Sequence, residues 1–270
     1  MGTDVDDLVT LLGESRGQVG LQLEARVVCC QINAHVTESD TLVGVFSQEG
    51  YQLRLEWGPE GVHALRDCDV LVVVDVLSFT TSVDLVVGNG GQVRPSRWKP
   101  ESGKTLRPAS LVDATGVVDL PSPNGSNLCR LAAETGAHVL AACLRNAEAV
   151  AAHAQGLGGT IGVIPGGERW GLDILKSGPR EFGPLRPCIE DHLGAGAVLA
   201  ALTGEASPEA RLARAAYVNS DVEKVVRECG SGRELIENGH AADVELALQV
   251  GVSGAVPVLS DGLLVEGRAG

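Results

Sequence analysis

Acidic side chains stand where three apolar segments of this sequence give way to polar ones. Asp75 closes the run V-L-V-V-V-D, and Glu168 follows two glycines after a second apolar segment. A third acidic position opens a helix-like stretch at 190–191. An ionised carboxylate beside an apolar interior is costly unless it is paired or binds a cation. The pattern therefore predicts a metal site with Asp75, Glu168, Glu190 and Asp191 as candidate ligands.

The predicted metal is Mg²⁺, because Mg²⁺ takes a few carboxylates together with waters and phosphate oxygens. Mn²⁺ accepts the same oxygen ligands, so the ligand types do not separate the two metals. The predicted catalytic residues are Asp75, Glu168 and Asp191, and the choice between Glu190 and Asp191 as metal ligand stays open. Each position also has a structural interpretation: a helix cap at Asp75, a glycine turn with a surface ion pair at Glu168, and dipole complementation at the helix start.

Strand-to-helix junctions supply a second kind of candidate, since backbone N–H groups at a helix start favour an anion. The turn P-N-G-S at 123–126, the pair R-N at 145–146 and the segment S-G-R at 231–233 occupy such junctions. Arginine is suited to bidentate contact with phosphate, sulfonate or carboxylate. Ordinary capping by Asn, Ser or Gly is the alternative at each junction. The predicted substrate-binding residues are Asn124, Gly125, Ser126, Arg145, Asn146, Arg169, Ser231 and Arg233.

The elements that must position these residues alternate between strand and helix from residue 70 to residue 203. The β-branched run at 70–74 is typical of a strand covered on both faces, whereas 51–57 alternates like a half-buried strand. The segment 92–110 is rich in Pro, Arg and Ser and is predicted to be a loop. The alternation predicts a three-layer α/β/α fold with a mostly parallel or mixed sheet. The last quarter is predicted to be helical, followed by a closing hairpin.

The charge of the chain excludes several classes of partner. Its 270 residues include 21 Lys and Arg against 35 Asp and Glu, which gives a formal net charge of −14. Such an acidic surface repels nucleic acid and anionic membranes, and no basic cluster breaks the pattern. The first residues lack the basic region of a signal peptide, and the apolar runs are too short to span a bilayer. We therefore expect a cytoplasmic protein without nucleic-acid or membrane partners.

Familiar catalytic signatures are absent or misplaced. Asp67-Cys68-Asp69 has the D-x-D spacing of aspartyl-phosphate phosphatases, but it precedes its predicted strand instead of following it. No cysteine is followed six positions later by arginine, and the sequence has no P-loop, G-x-S-x-G or H-E-x-x-H motif. The chemistry must therefore come from residues that are far apart in the sequence.

Seven segments, in this order and spacing, resemble the 2-phosphosulfolactate phosphatase family, the enzymes of coenzyme M biosynthesis and their bacterial relatives. The resemblance runs from about Val45 to Val265. Separately, the composition is rich in Ala, Gly and Arg, which fits a GC-rich bacterial source. The segments are V-V-V-D-V-L-S-F-T-T-S (72–82), L-P-S-P-N-G-S (120–126), A-C-L-R-N-A (142–147), P-G-G-E-R (165–169), I-E-D-H-L-G-A-G-A (189–197), S-G-R-E-L-I-E-N-G-H-A-A-D-V (231–244) and A-V-P-V-L-S-D-G (255–262).

The resemblance implies a phosphoric monoester hydrolase with a three-layer α/β/α fold, Mg²⁺ as cofactor and a small anionic phosphate ester as substrate. It implies a single α/β domain over residues 45–270, with residues 1–44 as an extension outside the resemblance. It also implies a homodimer, which no feature of the sequence indicates by itself. The family's site positions fall on Asp75, Asn124-Gly125, Asn146, Glu168 and Glu190-Asp191.

Two departures from the family pattern leave three functional hypotheses. Ser78 stands where the family usually carries arginine, and the interval from Gln92 to Val118 is short and lacks a G-G-E-R-G-G segment. The leading hypothesis is a Mg²⁺-dependent phosphatase that hydrolyses 2-phosphosulfolactate to sulfolactate and phosphate, or acts on a related 2-phospho acid. One alternative is a non-catalytic relative that binds a small organic phosphate or sulfonate. A further alternative is an enzyme that carries out another reaction on a similar acid, such as a lyase.

Overall fold

The structure, a computed structural model, describes residues 44–97, 106–170 and 183–267. These residues all belong to one compact unit of the chain, Glu38–Gly270. The predicted extension, residues 1–44, lies almost entirely outside the described residues, so the predicted domain boundary stays a prediction. Within the described ranges, no helix is both long enough and apolar enough to cross a membrane.

A mixed sheet of eight strands forms the middle layer of the protein. In chain order the strands of the protein are β1 (Leu53–Leu55), β2 (Val70–Val74), β3 (Gln92–Ser96), β4 (Val117–Pro121), β5 (His138–Ala142), β6 (Ile161–Pro165), β7 (Glu168–Arg169), β8 (Leu185–Arg186), β9 (Pro257–Ser260) and β10 (Leu263–Glu266). The large sheet has the order β1-β6-β2-β5-β9-β10-β3-β4, and β7 pairs with β8 in a small second sheet. Strands β1, β6, β2 and β5 are parallel neighbours, while the hairpin of β9 and β10 is antiparallel.

Strand β2 is central, and all five of its residues are buried. In the parallel register Val72 lies opposite Leu140 of β5 and Val163 of β6. Successive side chains point to opposite faces of a sheet, so Val72 packs into one apolar cluster whereas Leu71 and Val73 pack into another. Because both faces are covered, the strand must be apolar throughout, as its sequence predicts.

Helices cover both faces of this sheet. They are α1 (Gly58–Ala64), α2 (Phe79–Gly88), α3 (Gly125–Ala133), α4 (Ala147–Leu157), α5 (Ile189–Ala201), α6 (Pro208–Val218), α7 (Val222–Glu228), α8 (Gly230–Glu237) and α9 (Ala241–Ala247). One apolar cluster contains side chains of α1, α2 and α3, and the other contains side chains of α4, α5 and α6. This confirms the predicted three-layer α/β/α fold, its mixed sheet and its helical C-terminal quarter.

Two local predictions are wrong. The predicted loop at 92–110 begins with strand β3, which pairs with β4 and β10 and buries Val93 between them. The predicted half-buried strand at 51–57 is only three residues long, and all three are buried. Arg54 is buried there because its guanidinium donates to the carbonyls of Tyr51 at 2.8 Å and Ser47 at 3.0 Å. Backbone acceptors from a neighbouring loop thus replace the solvent that the alternating pattern indicates.

Candidate active site

The carboxyl ends of β2 and β6 lie side by side, because the two strands are parallel neighbours. The Gly166 N–H extends this pairing by donating to the Val74 carbonyl at 2.8 Å. Asp75 follows β2 directly, and Glu168 lies just beyond β6. In open α/β sheets, sites form at this edge. The topology therefore brings together two acidic residues that are far apart in the sequence.

Asp75 is a buried carboxylate held by backbone N–H groups. Its Oδ2 accepts a hydrogen bond from Gly125 at 2.8 Å, and its Oδ1 accepts one from Phe79, in the first turn of α2, at 3.4 Å. Burial raises the pKa of Asp75 to about 7, and although the Gly125 hydrogen bond opposes this shift, the charge of Glu168 adds to it. Asp75 therefore caps the start of α2, which is the structural alternative predicted from the sequence. It also places a carboxylate at the end of β2.

The turn that precedes α3 joins Asp75 to Glu168. The Asn124 side-chain amide donates to Glu168 Oε1 at 3.1 Å, while the Gly125 N–H binds Asp75. Ser122 Oγ accepts from the Asn124 N–H at 3.1 Å and lies 3.5 Å from Asp75 Oδ2, to which it donates. A Cβ atom at Gly125 would stand 2.7 Å from Asp75 Oδ2. Only glycine permits so close an approach.

Asp191, in the first turn of α5, ties the segments after β2 and β6 together. Its Oδ1 accepts from the Val76 N–H at 2.7 Å, and its Oδ2 accepts from the Gly167 N–H at 2.8 Å. Burial raises the pKa of Asp191 well above its usual range, and the charges of Asp75 and Glu190 raise it further. These contacts give Asp191 a positioning role, and its role as a metal ligand stays a prediction.

Glu168 and Glu190 complete the set of acidic side chains. Glu168 Oε1 also accepts the Arg169 N–H at 2.8 Å. Burial raises the pKa of Glu168, whereas its hydrogen bonds and the nearby charge of Arg186 lower it. Glu190 is 3% exposed, and its Oε2 accepts a hydrogen bond from the Cys229 thiol at 3.4 Å. The charge of Glu190 raises the pKa of Glu168, as it does those of both aspartates.

We call these four carboxylates, Asp75, Glu168, Glu190 and Asp191, the acidic cluster. Among the described residues, no three Asp, Glu, His or Cys side chains stand close enough to form a ready-made set of metal ligands. Mg²⁺ nevertheless binds proteins through one or two carboxylates and keeps several waters. The donors are hard oxygens, and their mutual repulsion would be relieved by a divalent cation. The chemistry of the acidic cluster therefore fits Mg²⁺.

Arg145 and Asn146, both predicted to bind substrate, make their contacts within the protein. Arg145 Nε donates to Asp84 Oδ2 at 2.6 Å in a buried ion pair. Asn146 Oδ1 accepts from the Cys143 N–H at 2.8 Å, and its amide donates to the Ala255 carbonyl at 3.2 Å. These bonds hold the loop between β5 and α4 against the loop before β9. A substrate-binding role for either residue stays a prediction.

Two further predicted residues do not turn toward the acidic cluster. Ser126 Oγ donates to the Ser96 carbonyl at 2.7 Å and fastens α3 to the end of β3. Arg233 lies on α8 with 66% of its side chain exposed, and it pairs with Glu237 one turn later at 3.1 Å. Both contacts match the structural alternatives that the sequence allows, and the predicted substrate contacts stay untested.

Arg169 and Ser231 lie near the acidic cluster, beside an arginine that the sequence analysis missed. Arg169 follows Glu168 in β7, where it is half-buried. Ser231 Oγ accepts from Arg186 Nη2 at 3.1 Å, and Arg186 lies directly opposite Glu168 in the β7–β8 ladder. Ser122 was missed as well, although serine in an S-P-N-G turn is a known local signal. Arg186 has no such signal, because its position depends on the pairing of two short strands.

Comparison with known proteins finds related phosphatases. The family model described as 2-phosphosulpholactate phosphatase matches residues 113–262, a range that contains the turn before α3 and three members of the acidic cluster. A Thermus thermophilus protein named "Probable 2-phosphosulfolactate phosphatase" is 30% identical over 235 residues, which cover 83% of this chain and 85% of that protein. The chain therefore belongs to the 2-phosphosulfolactate phosphatase family and is a phosphoric monoester hydrolase.

Proposed function

We propose that this phosphatase is Mg²⁺-dependent and hydrolyses 2-phosphosulfolactate, or a closely related small 2-phospho acid, to the hydroxy acid and phosphate. The acidic cluster at the carboxyl ends of β2 and β6 is the observation that carries the proposal. Three of its carboxylates, those of Asp75, Glu190 and Asp191, are buried, and Glu168 is half-buried. The pKa of Asp75 is raised to about 7 by burial and by its acidic neighbours. Such perturbed groups are typical of functional sites. The family relationship supplies the substrate class.

Asp75 and Glu168 are the residues proposed to hold the metal. The turn before α3 binds both of them, through the Gly125 N–H and the Asn124 amide. Bound there, Mg²⁺ would neutralise phosphate oxygens and lower the pKa of a water nucleophile. Asp191 fixes the two strand ends relative to each other through its hydrogen bonds to Val76 and Gly167. Negative charge from Glu190 and Asp191 would strengthen the attraction for a cation.

The helix that begins beside Asp75 supplies the positive end of a dipole next to the acidic cluster. Asn124 is the N-cap residue of α3, and its own side chain makes no capping bond within the helix. Its amide instead orients Glu168. The N-terminal end of α3 therefore lies against the acidic cluster, where its partial positive charge would favour a phosphate group.

Phosphate release by the purified protein tests this proposal. We expect turnover of 2-phosphosulfolactate with Mg²⁺, loss of turnover in EDTA and recovery when Mg²⁺ is restored. Mn²⁺ in place of Mg²⁺ measures the metal preference, and a panel of 2-phospho acids measures substrate preference. Full activity in EDTA would contradict the metal proposal, and turnover confined to phosphate esters without a second acidic group would contradict the substrate class.

Membership in a phosphatase family favours the catalytic hypothesis over the non-catalytic alternative. Ser78, which replaces the family's usual arginine, is the N-cap residue of α2. Its hydroxyl makes no capping bond to the helix.

The cytoplasmic location, the homodimer and the absence of a nucleic-acid partner stay predictions.

A further inference from the structure

Arg186 is placed beside the acidic cluster by the small β7–β8 sheet. In this antiparallel ladder Arg186 lies directly opposite Glu168. Residues that face each other in such a ladder share one face of the sheet, with Cβ atoms about 4.5–5.5 Å apart. The positive charge of Arg186 accordingly lowers the pKa of Glu168, against the stronger effect of burial. Arg186 is therefore a cation at the edge of the site.

The guanidinium of Arg186 is held in place by a hydrogen bond and by a ring contact. Nη2 donates to Ser231 Oγ at 3.1 Å, and the group lies over the Trp170 ring, 5.7 Å from its centroid. Ser231 belongs to α8 and Trp170 follows β7, so two separate elements orient the same side chain. No carboxylate of the described residues comes within ion-pair distance of Arg186. Of its five N–H donors, one has a hydrogen-bond partner among the residues that the structure describes.

The arginines of the described residues fall into two groups: some pair with a carboxylate, whereas Arg54 and Arg214, like Arg186, have no carboxylate partner there and donate to other oxygens. The charge of an arginine is always present, and Arg186 is distinguished from Arg54 and Arg214 by its place opposite Glu168 of the acidic cluster. Trp170, which supports the guanidinium, is itself 60% exposed, so the region is open at this side. The arginines that do pair with a carboxylate within 4.0 Å include Arg66, Arg94, Arg107, Arg145, Arg227 and Arg233.

We propose that Arg186, oriented by Ser231, binds the second anionic group of the substrate, its sulfonate or carboxylate, while the phosphate lies toward Asp75. This inference rests on the proposed function, because it assumes a small phosphate ester with a further acidic group. The planar fork of arginine matches two oxygens of either anion at once. Arg186 would thereby decide which phosphate esters are good substrates, rather than carry out the hydrolysis.

Substrates that differ in their acidic groups test this specificity role. We would compare 2-phosphosulfolactate, 2-phospholactate without the sulfonate, phosphorylated 2-hydroxyethanesulfonate without the carboxylate, and ethyl phosphate with neither. Arg186→Gln should lower kcat/KM for 2-phosphosulfolactate about 10- to 100-fold, as expected for loss of a charge-assisted hydrogen bond, and leave ethyl phosphate within about 2-fold. The middle two substrates show which anion Arg186 holds. Equal losses on all four would overturn the inference.

Matched variants separate recognition from a general loss of charge or of folding. Arg227→Gln removes the same charge from α7, where Arg227 pairs with Glu223 and Glu245, and should behave like the wild type on every substrate. Ser231→Ala should give a smaller loss than Arg186→Gln with the same substrate pattern. Arg186→Lys should recover part of the loss, because it restores charge without the fork.

Equilibrium binding of sulfolactate by calorimetry keeps this inference independent of turnover. The wild type and Arg227→Gln should bind it equally, and Arg186→Gln should bind it at least about 10-fold more weakly. If the wild type binds sulfolactate in this way but hydrolyses no phosphate ester, the proposed function fails while the anion site stands. If sulfolactate binds Arg186→Gln as well as the wild type, or does not bind the wild type, the anion site is wrong.

Discussion

The two ends of strand β2 carry aspartates with similar local partners and opposite electrostatics. Asp69 precedes the strand and accepts the Thr160 N–H at 2.7 Å, whereas Asp75 follows it and accepts the Gly125 N–H at 2.8 Å. A glycine approaches each carboxylate: a Cβ at Gly159 would lie 2.2 Å from Asp69 Oδ2, and one at Gly125 would lie 2.7 Å from Asp75 Oδ2. Local hydrogen bonding therefore does not distinguish the two ends.

Burial and neighbouring charge make the difference. Asp69 is exposed, and hydrogen bonds from Thr160 lower its pKa. Asp75 is buried, and the cost of burial raises its pKa to about 7. A polar cavity of about 500 Å³ lies at the Asp69 end, lined in part by Arg66 and His138. The two aspartates therefore differ in burial and in neighbouring charge, and the cavity lies beside the exposed one.

Single replacements of the two aspartates should give the largest difference in activity between the two ends of β2. If Asp75 holds Mg²⁺ as proposed, Asp75→Asn should lower phosphate release by about 10³-fold or more, because loss of a metal ligand removes several kcal/mol of transition-state stabilisation. Asp69→Asn should stay within about 2-fold of the wild type, because Asp69 lies at the opposite end of the strand from the acidic cluster. Steady-state kinetics, with thermal melting to verify folding, measure both. Comparable losses in the two variants would mean that the acidic cluster is not the active site.

Alanine substitutions at Gly125 and Gly159 should destabilise the protein at both ends of β2 but lower activity at only one. Gly125→Ala would force a Cβ to within 2.5 Å of Phe79 Cδ1, which should cost about 1–3 kcal/mol of stability and also disturb the turn that holds Asp75. Gly159→Ala also strains a backbone with φ of +76° and should cost about 1 kcal/mol or more, because the Asp69 side chain must shift, but this end of β2 lies away from the acidic cluster. Urea unfolding should show both losses. Specific activity should fall only for Gly125→Ala, and equal activity in both variants would speak against the turn's role.

The pH dependence of stability should have opposite signs for the two carboxyl groups. The folded-state pKa of Asp75 is raised, so its contribution is fully present below the unfolded pKa near 3.9 and is lost as the pH rises through about 7. The folded-state pKa of Asp69 is lowered, so its contribution is present above the unfolded pKa and is lost as the pH falls through the folded pKa.

Urea unfolding of the metal-free protein between pH 4 and pH 8 tests this sign. Asp75→Asn should make the decline in free energy of unfolding shallower, by up to about 1.4 kcal/mol per pH unit. Part of the decline should persist, because burial also raises the pKa of Glu168 and Asp191. Asp69→Asn should keep the wild-type decline. An unchanged decline in Asp75→Asn would contradict the raised pKa.

The smallest expected effect comes from the hydroxyl beside each aspartate. Ser122→Ala removes a long 3.5 Å hydrogen bond to Asp75 and the 3.1 Å bond from the Asn124 N–H, and it should lower kcat/KM about 3- to 10-fold at a cost near 1 kcal/mol of stability. Thr160→Val removes the 2.8 Å bond to exposed Asp69 and should leave kcat/KM unchanged. Identical kinetics for Ser122→Ala and the wild type would show that Ser122 does not orient Asp75.

Much of the fold could be predicted because it follows from local pattern. Short segments of the sequence are enough to predict the β-branched run of β2, the alternation of strands and helices, and the closing hairpin of β9 and β10. Strand β3 could not be found in this way, because its Pro and Arg content resembles a loop and only pairing with β4 and β10 makes it a strand. Likewise, the burial of Arg54 depends on carbonyls of a neighbouring loop.

The candidate site divides in the same way. Strand-end position and residue type indicated Asp75 and Glu168, since parallel strands present their carboxyl ends at one edge. Arg145 also stands at such an edge, yet a partner 61 positions away in the sequence, Asp84, takes its guanidinium. Arg186 lies opposite Glu168 only because β7 and β8 pair. Position along a strand is local information, whereas the partner of a long side chain is not.

The layered α/β/α architecture, the order of most elements and the acidic residues at the ends of the apolar strands could all be predicted from the sequence alone. These features depend on periodicity and on the polarity of neighbouring residues, which are local properties. The burial of Asp75 and the exposure of Asp69 became evident only from the tertiary structure. The same is true of the position of Arg186, rather than Arg145, beside the acidic cluster. Desolvation and charge pairing depend on groups brought together from distant parts of the chain.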